Sequence, residues 1–134
     1  MGALARIGVA IDEDLLKKFD ALIERRGYTN RSEAFRDLIR DALVQDKAAA
    51  PEAEVVGTLT LVYDHHVRQL QERLTHMQHE HHTEIISALH VHLDHHHCLE
   101  VLVLRGRSAR VRQIADRLIA TKGVQHGRLT LTSP

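Results

Sequence analysis

The sequence has no tryptophan and only four residues of phenylalanine or tyrosine. Its cores must therefore be built from aliphatic side chains. A single cysteine, Cys98, excludes an intrachain disulfide and fits a reducing compartment, so a cytoplasmic location is expected. Neither sign of charge is in excess, with 18 basic and 18 acidic residues, so no overall field points to nucleic acid or to acidic partners. No run approaches the roughly 18 apolar residues of a membrane span, and no membrane partner is expected. The opening MGALARIGVAIDEDLLKKFD lacks the apolar core of a signal peptide, and Arg6 stands where a myristoylation motif wants Ser or Thr. What the chain does have is histidine. Nine of its twelve histidines, and the cysteine, fall between His76 and Cys98.

From the N-terminus, Ile7, Val9 and Ile11 alternate with Arg6, Gly8 and Ala10, the pattern of a short half-buried strand. Asp12 is placed to cap a helix from about Glu13, in which Leu15, Leu16, Phe19, Leu22 and Ile23 recur at helical spacing. Gly27 stops it. Asn30 followed by Glu33 then predicts a capped second helix burying Ala34, Phe35, Leu38, Ile39, Ala42 and Leu43. Pro51 and the loss of periodicity after Asp46 mark a linker, taken as 48–56. A lone strand leaves its backbone groups unpaired. The simplest remedy is the same strand of a second chain, with the helices packing across that dimer.

This strand–helix–helix pattern, with YTNRSEA at Tyr28–Ala34, resembles the ribbon-helix-helix family of DNA-binding proteins. The resemblance implies a two-stranded ribbon in the major groove of double-stranded operator DNA. Arg6, Gly8 and Ala10 would face the bases. Asn30 and Arg31, where the second helix begins, would meet a phosphate at its free N–H groups.

Residues 57–134 read as a second domain. Thr58–Tyr63 is a strand, and Val67, Leu70, Leu74 and Met77 mark a helix from about His65 to His79. Thr83–Leu93 and Cys98–Leu104 are strands, with a turn at Arg105-Gly106. Val111 to Ile119 marks a helix, and Gly127–Thr132 a last strand. The order β-α-β-β-α-β is ferredoxin-like and resembles ACT-type domains. The fold class is thus α+β. On the middle strands, Ile86, Ala88, His90 and His92 oppose Leu89, Val91 and Leu93; Cys98, Glu100, Leu102 and Leu104 oppose Leu99, Val101 and Val103. Both sheet faces are apolar, so one needs a subunit as cover. Two dimerising domains in one chain predict a tetramer, or a dimer closed at both ends.

The histidine tract then resolves. On a strand, His90 and His92 share a face, and Cys98 on the returning strand can share it too. That makes an N/N/S half-site. Glu100, two residues on, can orient an imidazole. His79, at the end of the preceding helix, is roughly 20 Å of strand from its own His90 and could complete the site only from another subunit. Three imidazoles and a thiolate suit Ni(II) or Cu(II) in a plane and Zn(II) in a tetrahedron. His65, His66, His76, His95, His96, His97 and His126 are read as surface residues or weak accessory sites. A storage protein, or a copper or zinc sensor, fits the same residues. An enzyme does not: four protein ligands close the site, and no nucleophile constellation accompanies it.

With both halves in view, YTNRSEAFRDLIRDAL, Gln78-His79, ALHVH at 88–92 and Cys98-Leu99-Glu100 make the chain similar to the NikR family of nickel-responsive regulators. The resemblance implies a homotetramer, repression of nickel-uptake genes, no small organic ligand, and one Ni(II) per chain in a square-planar site. Its ligands would be His90, His92 and Cys98 of one subunit and His79 of its neighbour. It also implies a secondary cation site, with Glu33 and Asp37 as the matching acids. One departure concerns the ribbon. Gly8 and Ala10 stand where the family usually has polar residues, so base readout would rest on Arg6, on Ala10 against a thymine methyl, or on DNA shape.

Overall fold

The computed structural model describes residues 2–133 and divides into two compact units, one ending at Asp41 and one starting at Ala42. In the first unit, α1 spans Glu13–Arg25 and α2, which continues into the second unit, spans Arg31–Ala49. Phe19 and Phe35 stack between the helices with ring centroids 5.1 Å apart, and Ile23 and Ala34 are buried. Asn30 caps α2 as expected, its Oδ1 accepting the Glu33 N–H at 2.9 Å. Asp12 does not cap α1 with its side chain; only its carbonyl accepts, from the Leu16 N–H. The expected strand Arg6–Ile11 has no ladder partner among the described residues of the single chain, and Ile7 and Val9 are 79% and 58% exposed. Leu38, Ile39 and Leu43, expected to be buried, are exposed as well. Burial of a leucine or isoleucine contributes about 1.5–3 kcal/mol, and the single chain supplies no surface to bury these.

The second unit has β1 (Glu54–Asp64), α3 (Leu70–Glu80), β2 (Ile85–His92), β3 (His97–Arg107), α4 (Ser108–Ile119) and β4 (Val124–Thr132). The sheet order is β2-β3-β1-β4 with every neighbour antiparallel. The ferredoxin-like order is therefore present. Its core lies between one sheet face and the helices. Leu59, Leu61 and Tyr63 of β1 and Cys98, Leu102 and Leu104 of β3 meet Leu70 and Leu74 of α3 and Ile114 and Leu118 of α4. Gly127 lets β4 press on α4: a Cβ there would stand 2.5 Å from Ile119 Cγ1 and 3.1 Å from Leu61 Cδ2.

Four local differences from the sequence reading have physical causes. The helix begins at Leu70 and not near His65, because Gln69 takes a left-handed conformation with φ 63° and breaks the turn before it. No turn occurs at Arg105-Gly106; β3 continues to Arg107, paired rung by rung with β1 as far as Glu54. The register of β2 slips between Ile85 and Ser87, so Ile86 is an extra residue, 59% exposed, and Ile85 takes the inward position opposite Leu104. Residues 48–53 are held against α4. Ala48 is fully buried, its carbonyl accepts from the Ser108 hydroxyl, and the Pro51 carbonyl accepts from the Ala109 N–H at 3.0 Å.

Candidate metal centre

Register positions the centre. His90 pairs with Glu100 and His92 with Cys98, so all four share the helix-facing side of the β2–β3 pair. Cys98 is fully buried, and its Sγ lies 3.4 Å from His92 Nδ1. Two donors on one ion with arms of roughly 2.0–2.3 Å stand about this far apart. Burial, and then the carboxylates of Glu100, Asp64 and Asp94, push the Cys98 thiol above its ordinary range. A metal ion reverses this, since coordination deprotonates a thiol.

His90 is held from behind. The buried Tyr63 hydroxyl donates to Glu100 Oε2 at 3.0 Å and meets His90 Nε2 at 2.7 Å. A phenol has one proton. With it given to Glu100, the oxygen accepts from His90 Nε2–H, which leaves Nδ1 with the lone pair. Gln78 of α3 donates to the other Glu100 oxygen at 2.6 Å. Burial foremost, then Glu100, keeps Tyr63 protonated well above the usual phenol range. Glu100, expected to orient an imidazole, touches Tyr63, whose hydroxyl in turn meets His90. Tyr63 and Gln78 had no such role in the sequence reading. The available signal is that Tyr63 continues the inward series Leu59, Leu61, and a buried tyrosine hydroxyl needs a partner.

His65 is the other addition. A ligand atom from each of His65, His92 and Cys98 lies within 4.8 Å of the others. The His65 Nε2–H donates to the His95 carbonyl at 2.7 Å, so its Nδ1 carries the lone pair. His79 is exposed near the C-terminal end of α3 and belongs to neither of the two potential metal-binding groups found among the described residues. His81 is buried, accepting from Arg110 Nη2 at 3.2 Å.

In the first unit, Arg6, Gly8 and Ala10 are exposed. Arg31 makes a two-pronged pair with Asp20 of α1, at 2.9 and 2.8 Å. Glu33 accepts from the Thr29 hydroxyl at 3.3 Å, and Asp37 from Tyr28 at 2.7 Å and Arg40 at 3.3 Å.

Comparison with known proteins bears on the whole chain. Residues 56–132 match the NikR C-terminal nickel-binding domain, and residues 5–46 match the ribbon-helix-helix proteins of the copG family. A protein of Solibacter usitatus is 70% identical over 133 residues, covering 99% of this chain and 96% of the relative. Relatives from Trichlorobacter lovleyi and Geobacter sulfurreducens are 61% and 62% identical with the same coverage. All three carry the name "Putative nickel-responsive regulator". With a DNA-binding type of unit followed by a domain whose sheet gathers two imidazoles and a thiol on one face, the chain belongs to the NikR family of nickel-responsive regulators.

Proposed function

We propose that this protein is a nickel-dependent transcriptional repressor of nickel-uptake genes, in which Ni(II) is held by His90, His92 and Cys98 of one subunit and His79 of a neighbour. The observation that carries the reading is the 3.4 Å approach of Cys98 Sγ to His92 Nδ1, with His90 anchored on the same face by Tyr63. The donor set fits the ion: imidazole suits nickel, and the thiolate supplies a soft ligand. In its own chain His79 lies outside the group of His65, His92 and Cys98, as His90 does, and we assign its contribution to a neighbouring subunit. The matched nickel-binding domain and the relatives' names favour nickel over copper or zinc, and a regulator over an enzyme or a store.

The assembly we propose is a homotetramer on double-stranded operator DNA, in the cytoplasm. Supporting it, the sheet face away from the helices leaves Leu89, Val91 and Leu93 exposed at 60%, 37% and 52%, an apolar patch that another subunit would cover. The unpaired segment Arg6–Ile11 supports pairing in a second chain. No helix among the described residues is long and apolar enough to cross a membrane. Glu33 and Asp37, one turn apart on α2, are the proposed ligands of a secondary cation.

A mobility-shift titration tests the reading, with Ni(II), Cu(II), Zn(II) and Co(II) on wild type, His79→Ala and Cys98→Ala. Ni(II) should tighten operator binding by about 100-fold, the differential affinity needed to shift occupancy usefully. Both variants should lose the response. Equal DNA affinity with and without Ni(II) would sink it.

A further inference from the structure

The start of α4 runs against its own dipole. Anions are favoured at a helix N-terminus and cations at its C-terminus. Yet Arg107 precedes α4, Arg110 and Arg112 lie in its first two turns, and the first turn has no acid. Arg107, in the capping position, makes no side-chain cap among the described residues. Two of these arginines meet acids from elsewhere, Arg107 with Glu52 at 3.1 Å and Arg110 with Glu84 at 3.2 Å. Arg112 turns to a different partner. Its Nε donates to the Ser108 hydroxyl oxygen at 3.2 Å, and its Nη2 to the Ala48 carbonyl at 3.4 Å.

That carbonyl belongs to the end of α2. A helix leaves its last carbonyls and its first N–H groups without partners of its own. Here two helices far apart in sequence supply each other. At the end of α2, the Ala48 carbonyl accepts from the Ser108 hydroxyl and from Arg112, which sets a cation where the dipole favours one. At the start of α4, the Ser108 N–H donates to the Ala53 carbonyl at 2.8 Å and the Ala109 N–H to the Pro51 carbonyl at 3.0 Å. Ala48 and Ser108 are buried, so breaking their bond leaves polar groups unpaired away from solvent. The stretch 48–53, part of the expected linker, is thus a strap fastened along its length.

We infer that Ser108 and Arg112 are positioning residues that fasten the end of α2 to the nickel-binding domain, and that the effect of nickel on DNA binding passes through this clamp. The inference rests on the proposed nickel-dependent repressor. α2 starts in the unit of ribbon-helix-helix type and ends in the nickel-binding one. A loose linker would let the helix end move without the metal domain. A ligand shifts an equilibrium only through interactions that differ between its states. Holding the helix end makes such a difference available to a metal bound elsewhere in the domain.

The test uses full-length wild type, Ser108→Ala, Arg112→Gln and Arg112→Lys. Three quantities are read: operator affinity with and without Ni(II), Ni(II) affinity without DNA, and the rate of tryptic cleavage after Lys47. Lys47 directly precedes Ala48, so that cut reports release of the strap. In Ser108→Ala and Arg112→Gln, the nickel-induced gain in operator affinity should fall by about 10-fold, a coupling change of ordinary size. The cut after Lys47 should come faster, and Ni(II) affinity without DNA should stay as in wild type. Arg112→Lys keeps a donor and a charge, and should retain most of the gain. Arg112 is exposed, so Arg112→Gln decides if Ser108→Ala fails to fold. An undiminished gain in Arg112→Gln overturns the inference, as does a matching drop in Ni(II) affinity without DNA, which signals general damage. If wild type itself shows no gain, the repressor reading fails and cleavage decides the clamp: faster cutting in the variants upholds it, and equal rates overturn it.

Discussion

Cys98 and His92 face each other as direct partners across β3 and β2, with Sγ and Nδ1 3.4 Å apart. The pair joins a buried thiol to an exposed imidazole, so at the proposed site the proton on sulfur is the one that a metal would displace. Burial and three carboxylates raise the thiol above its ordinary range, so at neutral pH the free protein keeps that proton. Nickel affinity should therefore rise with pH by up to about tenfold per unit, and level off only above the raised thiol value. The metal-free protein should move the opposite way and lose stability as pH climbs past the ordinary thiol range. Nickel titrations between neutral and alkaline pH, in buffers of different ionisation enthalpy, check both the slope and the released proton. A flat profile would mean that sulfur is not a ligand.

Tyr63→Phe removes one hydroxyl and two contacts. Buried Glu100 keeps Gln78 but loses its second partner, which should cost about 1–3 kcal/mol in the metal-free protein. His90 loses its anchor, and nickel affinity should fall by roughly 10- to 100-fold. Thermal melts and competition titrations separate the two effects. Unchanged affinity would show that His90 needs no support from behind.

Asp94 organises the turn between β2 and β3. Its carboxylate accepts from the His97 ring and from the backbone N–H groups of His96 and His97, and these bonds, the ring's first, hold it well below the usual carboxylate range. Its contribution to stability is thus present above the unfolded value of about 3.9 and is lost as pH falls further. Asp94→Ala should melt lower than wild type at neutral pH, and the gap should close in acid. A gap that persists at low pH would point to a cause other than charge.

Arg6 is the long polar side chain on the base-facing side of the proposed ribbon, flanked there by Gly8 and Ala10. Arg6→Ala should weaken nickel-loaded operator binding by about 1–3 kcal/mol and relax sequence preference, as loss of a base contact does. Arg31→Ala, which also releases Asp20 from its two-pronged pair, should weaken all sequences alike and reduce the salt dependence. Fluorescence anisotropy on operator and scrambled duplexes at several salt concentrations distinguishes the two patterns.

Gly127→Ala adds one methyl where β4 presses on α4, 2.5 Å from Ile119 and 3.1 Å from Leu61. Overpacking of this kind costs typically 1–3 kcal/mol. The melting temperature should fall, while nickel stoichiometry stays as in wild type, because the site lies on the far strands of the sheet.

Much of this was legible because strands alternate. A period of two, applied to ALHVH and CLE, placed His90, His92, Cys98 and Glu100 on one face, and the structure brings them there. The β-α-β-β-α-β order followed from apolar spacing for the same reason. What the sequence hid was what neighbours decide. Gln69 has no residue-type signature for its left-handed backbone, so apolar spacing alone carries the helix back to His65 while α3 starts at Leu70. The extra residue at Ile86 follows from pairing with β3, which a single strand does not display. His65 and the group of Asp64, His66 and His96 meet only because two loops 30 residues apart are hydrogen-bonded together. Leu38 and Ile39, expected to be buried, are exposed in the single chain, and only the proposed dimer would cover them.

The bulge at Ile86 and the Asp94 turn enclose Ser87–His92, and between them the strand has a reading frame. Each residue there belongs to the metal face or to the apolar face, in strict alternation. Removing or adding one residue inside the frame would send Leu89 and Val91 to the metal face and the imidazoles to the apolar one. Removing two would restore the phase and shorten the strand. Single-residue insertions and deletions should therefore be tolerated N-terminal to the bulge, where an extra residue already loops out, and should abolish nickel binding C-terminal to it.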